Sequence, residues 1–116
     1  MLSEKLKKAS PYFNSKEYHK AIALFEECIR EDPEDSIAYC QKATALFLTS
    51  EFKESLYFYC QAILRNPCEI KFYKGRSYVY FRLGKNELAI KDLEKVITSN
   101  DPEKDKAYLL MGSAYK

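Results

Sequence analysis

SIAYCQKATALFLTSEFKESLYFYCQAILRNP, residues 36–67, is followed by IKFYKGRSYVYFRLGKNELAIKDLEKVITSNDP, residues 70–102. Laid with Ser36 against Ile70, the two stretches correspond column by column at a step of 34 residues. Phe47 answers Phe81, Leu46 answers Tyr80, Ser55 answers Ala89 and Leu56 answers Ile90. The same step runs backwards to Tyr12, Phe13, Ala21 and Ile22, and forwards to Tyr115 one residue late. Pro33 and Pro67 are 34 apart, and Pro102 follows 35 later. A fixed period in this range marks a solenoid of repeated supersecondary units. The functional question becomes what lies along the shared surface of the repeats.

Each unit reads as two helices. In the second unit the first helix (A) is placed over 36–48, with Ser36 as its N-cap. The turn is Thr49-Ser50-Glu51. The second helix (B) runs over 52–64 and stops at Asn66-Pro67, since the residue before proline is pushed out of helical geometry. In the third unit helix A spans 70–83, Gly84 supplies a left-handed helix end, and helix B spans 87–98. Leu88, Ile90, Leu93, Val96 and Ile97 are placed inward. In the first unit Pro11 falls inside helix A, so that helix is expected to kink or start late. The units are 2–35, 36–69 and 70–104, with a partial fourth unit at 105–116. The fold class expected is all-α: a right-handed α-solenoid of antiparallel helix pairs, about three units plus a terminal helix.

Composition excludes several classes. Hydrophobic residues make up 47% and charged residues 31% of the 116, which is globular rather than disordered. A net charge of +2 leaves no strong electrostatic case for nucleic acid. No apolar run is long enough to span a membrane, and the lysine-rich start lacks a signal-peptide core. The four cysteines, at 28, 40, 60 and 68, form no CxxC pair, and His19 is the single histidine. Zinc is therefore not expected, and reduced thiols in an intracellular protein, cytoplasmic or nuclear, are. Cys28 is placed in the packing, Cys40 looking out of it, and His19 on the surface. The three glycines are isolated, and no nucleophile has a base near it in sequence. The reading is a non-enzyme with no cofactor and no metal.

The columns resemble the tetratricopeptide repeat family. The first unit carries Tyr18, Ala21, Phe25, Cys28 and Pro33. The second carries Tyr39, Ala43, Leu46, Ser55, Tyr59, Ala62 and Pro67, and the third Tyr73, Ser77, Tyr80, Ala89, Leu93 and Val96. Small residues recur at Ala9, Ala43, Ser77 and Gly112, and at Ala21, Ser55 and Ala89, where helices must approach closely. A bulky side chain there would cost about 1–3 kcal/mol. The resemblance implies a protein-binding module whose A helices line a groove for an extended peptide or helix. By the same resemblance the groove residues are Phe13, Asn14, Ile37, Cys40, Gln41, Thr44, Phe47, Leu48, Lys71, Lys74, Tyr78, Phe81 and Arg82, flanked by Leu6, Ser10, Gly75, Lys106 and Leu109. The early part is apolar and the late part basic, which suits a ligand with acidic groups.

One subset of the family clamps acidic C-termini with a Lys and an Asn in the first A helix, an Asn in the second and a Lys and an Arg in the third. Those places hold Leu6, Ser10, Gln41, Lys71 and Gly75, so only Lys71 matches. The alternatives are an architectural segment that self-associates through the uncovered Tyr108, Met111 and Tyr115, and a targeting module joined to another domain. The chain is expected to be part of a longer protein, because it stops inside a repeat.

Overall fold

The computed structural model describes residues 17–98, and among these it contains only helices. They are α1 (Tyr18–Glu31), α2 (Ser36–Leu48), α3 (Phe52–Arg65), α4 (Ile70–Arg82) and α5 (Asn86–Ile97). Helix B of the first unit is α1. The A and B helices of the second unit are α2 and α3, and those of the third are α4 and α5. Each helix packs on the next in the chain, and α2 also touches α4. The calls on Leu6, Ser10, Pro11, Phe13, Asn14 and the terminal helix with Lys106, Tyr108, Leu109, Met111 and Tyr115 lie outside the described residues.

The repeat is visible in backbone detail. Ser50 (φ 66°) and Gly84 (φ 78°) hold the same left-handed place, 34 residues apart. Glu51 N–H donates to the Leu46 carbonyl and Lys85 N–H to the Tyr80 carbonyl, both at 2.8 Å, closing the two A helices identically. A glycine takes this conformation freely, whereas Ser50 carries a penalty of about 1–2 kcal/mol. The start of α2 differs from expectation by one residue. Its cap is Asp35, whose carboxylate accepts from Ile37 N–H (3.1 Å) and Ala38 N–H (3.3 Å). Ser36 is then the first helical residue.

The small-residue columns sit where helices meet. Ala43, Ser55, Ser77, Ala21 and Ala89 are fully buried. Ser55 shows why a polar residue is accepted there: its hydroxyl donates to the Ala43 carbonyl at 2.7 Å across the α2–α3 contact. Successive units are tied at their turns, where Arg65 donates to the Pro33 carbonyl and stacks 4.1 Å from the Tyr39 ring. Leu93 and Val96 are buried as expected, but Leu88 is 41% exposed, whereas its neighbour Ala89 in the same turn is buried. Cys28 is buried and His19 exposed.

Candidate functional site: the trough between two A helices

One face of α2 packs on the B helices through Ala38, Tyr39, Ala43 and Leu46. Its other face carries Ile37 and Leu48, which are exposed, and Cys40, Gln41, Thr44 and Phe47, which are half-buried. On α4 the corresponding residues are Lys71 and Arg82, exposed, and Lys74, Tyr78 and Phe81, half-buried. All of these except Phe81, which turns to α5, are candidates for the walls of a trough between the two helices.

The floor comes from a residue absent from the expected set. Tyr59 of α3 reaches between the two A helices and is 5% exposed. A Cβ added to Gly75 on α4 would lie 2.6 Å from Tyr59 Cζ and 2.8 Å from its hydroxyl, so the ring fits only because position 75 has no side chain. On the other side Tyr59 Oη is 2.9 Å from Thr44 Oγ1. Thr44 Oγ1 also lies 2.9 Å from the Cys40 carbonyl, and with its proton directed there Tyr59 donates between the two hydroxyls. Burial pushes the Tyr59 phenol above its usual range, and raises the Cys40 thiol from 9.0 to about 11.

A thiol so held is protonated at neutral pH and a poor nucleophile. At pH 8, iodoacetamide is expected to alkylate exposed Cys68 well before Cys40, as read by peptide mass mapping. Equal rates would mean that the floor is open to reagent.

The phenylalanines of the period do not act as one row. Phe47 stacks edge-on against Phe52 (centroids 5.5 Å) and tilts onto Tyr78 (6.5 Å). Phe81 instead packs against the Leu93–Val96 core on α5.

Within the helices, carboxylates occur on the B helices alone, which carry lysines and arginines as well. The A helices α2 and α4 contain Lys42, Lys71, Lys74, Arg76 and Arg82 and no carboxylate. The carboxylates within helices, Glu26, Glu27, Glu31, Glu54, Glu87, Asp92 and Glu94, all belong to the B helices. Two of the A-helix cations are engaged there: Lys42 with Glu26 at 3.3 Å, and Arg76 with Asp92 at 2.7 Å. Lys71 and Arg82 have no carboxylate partner among the described residues. Nothing in this arrangement pairs a nucleophile with a base.

Paired helices repeating at 34 residues, with small residues at the crossings, define a helical-repeat protein. The tetratricopeptide repeat model matches residues 5–35 and 71–102, and the chain belongs to that family. It is similar to human serine/threonine-protein phosphatase 5, 31% identical over 104 residues, which covers 89% of this chain and 21% of that protein. The chain thus spans about a fifth of the length of the curated relatives first matched. Among solved structures it resembles MamA, with a TM-score of 0.88 and 26% identity over 96% of this chain and 64% of that one. It also resembles the TPR2B domain of yeast Sti1 in a complex named for pHsp70, with a TM-score of 0.87 and 21% identity over 97% of this chain and 98% of that one.

Proposed function

We propose that this chain is a non-catalytic interaction module that binds an extended, acid-containing segment of a partner protein along its A helices. The observation that carries the reading is the charge of α4, which exposes Lys71 and Arg82 and contains no carboxylate, beside the uncharged outer stripe of α2. A surface of one sign recruits segments of the other and rejects like-charged ones. Family membership supports a binding role, and the Sti1 domain, of the same fold, is named in complex with pHsp70. The units 2–35, 36–69 and 70–104 act as one array in this reading. The absence of a disulfide among Cys28, Cys40, Cys60 and Cys68 supports the reading of a reducing, intracellular setting.

The test is a peptide array probed with the purified chain, followed by fluorescence anisotropy. Acidic peptides are expected to bind more tightly than their Asn/Gln counterparts, and the advantage to shrink with added salt. Lys71→Glu is expected to weaken acidic peptides about fivefold, the scale of one exposed charge contact. If acidic peptides bind no better than neutral ones, the reading fails.

A further inference from the structure

The outward columns of the B helices carry large apolar side chains in one unit only. Opposite the buried row Ser55, Tyr59 and Ala62, α3 turns Tyr57 and Leu64 to solvent, 58% and 72% exposed. One repeat earlier those columns hold Ala23 and Arg30, and one repeat later Lys91 and Thr98, all exposed. A single exposed apolar residue is ordinary, but two on one helix face, two turns apart, make a patch. Much of it is held in place. Tyr57 stands edge-on to Phe58 with ring centres 5.1 Å apart, and Phe58 packs on the core shared by α1 and α2. Gln61, between the two, accepts from Arg65 at its side-chain oxygen at 2.9 Å. Such a surface has little side-chain freedom to lose on binding.

The patch reads the same from either end. Tyr57 and Leu64 stand at equal sequence distances from the Cys60-Gln61 pair, about 10 Å apart along the helix axis. A second α3 laid antiparallel across the first, centred on the same pair, offers its Leu64 to Tyr57 and its Tyr57 to Leu64. That is the self-complementarity of a two-fold interface. Charge agrees with it. The patch Tyr57, Cys60, Gln61 and Leu64 contains no lysine, arginine or carboxylate, so identical patches do not repel. On α5 the places of Cys60 and Gln61 are taken by Glu94 and Lys95, both exposed, and the same axis sets Glu94 beside Lys95 of the second copy. On α1 those places hold Glu26 and Glu27, and Glu26 is already paired with Lys42 at 3.3 Å. We propose that two copies of this chain associate back to back, α3 against α3 and antiparallel, through Tyr57 and Leu64. The apolar centre is small, so the dimer belongs to the weak, transient size class. Only B helices take part. Both A-helix faces therefore stay uncovered, and the paired copies hold a two-site partner more tightly than one copy does.

The test is sedimentation velocity of the whole chain in reducing buffer, from about 10 µM to about 500 µM, where the weight-average mass is expected to rise toward twice that of the monomer. Tyr57→Asp and Leu64→Arg, each at an exposed position, are each expected to weaken association about tenfold. Combining them in one chain is expected to restore it to within about threefold of the parent, because each introduced acid then faces an introduced base of the second copy. A folding defect would not be cured by a second substitution, and a parallel arrangement would set like charges together. Leu48→Lys, on the A-helix side, is expected to leave the mass unchanged. A monomer mass at every concentration overturns the proposal. So does association that survives both single substitutions, fails to return in the double variant, or disappears with Leu48→Lys.

Discussion

Asp92→Ala is expected to lower folding stability by about 3 kcal/mol, seen as a shift of the urea midpoint with little change in slope. Asp92 is 4% exposed at its side chain and grips Arg76 with both oxygens, Nε to Oδ2 at 2.8 Å and Nη2 to Oδ1 at 2.7 Å. The guanidinium also donates to Cys60 Sγ at 3.7 Å and lies 5.5 Å from the Tyr73 and Tyr80 ring centres. The Asp92 hydrogen bonds raise the arginine's proton affinity further, against the opposing effect of burial. Removing the carboxylate leaves a cation, itself only 19% exposed, with a thiol and two rings for company. Coulomb attraction between the pair largely offsets its own desolvation, so the loss comes from the stranded charge rather than from the bond.

The repeat supplies the control for that experiment. Asp92 occupies the column of Leu24 and Phe58, and Arg76 that of Lys42. In the preceding unit the same two places hold Lys42 4.0 Å from the Phe58 ring centre. Transplanting that pair, Arg76→Lys with Asp92→Phe, is therefore expected to recover most of the stability lost by Asp92→Ala. A loss below about 1 kcal/mol in the single variant would mean that Arg76 swings into water once released, and that the pair is ordinary surface chemistry.

The same columns explain what could be read before any coordinates. Helix ends were legible because they depend on local chemistry: α2 was placed at Ser36–Leu48, and Gly84 at the end of α4, from a handful of neighbouring residues. The cap lies at Asp35, one place before the expected Ser36, because serine and aspartate cap equally well and only the chain's entry path decides between them. The ion pair does leave a trace in the sequence, an acid in a column otherwise filled by Leu24 and Phe58. Tyr59 shares its column with the core residues Phe25 and Leu93, which points to packing alone. Its hydroxyl was the signal, since a buried tyrosine needs a partner for its proton. No short-range rule connects Tyr59 to Gly75 or Thr44, which lie 16 and 15 positions away, so the trough floor became visible only in three dimensions.

Gly75→Ala is expected to cost about 2 kcal/mol, although alanine is the better helix former. Position 75 is inside α4, where replacing glycine by alanine ordinarily gains about 1 kcal/mol. Here the new methyl would stand 2.6 Å from Tyr59 Cζ, far inside van der Waals contact, so the ring must move or the helices must part. The ring has nowhere close to go. It is packed with Ala43 and Val79, both fully buried, and its hydroxyl is anchored on Thr44. Overpacking of this kind costs about 1–3 kcal/mol, and the stranded hydroxyl adds about 1 more, so together they outweigh the gain in propensity. Larger residues are worse: Gly75→Arg, which would place a cation on the basic wall, is expected to unseat Tyr59 rather than strengthen acid binding. Tyr59→Leu should lower stability alone but make Gly75→Ala harmless, and the double-mutant cycle from chemical denaturation should return a coupling of at least 1 kcal/mol. Additive losses would show that Tyr59 does not need the glycine. By admitting the Tyr59 ring, the glycine sets how closely α3 and α4 can approach.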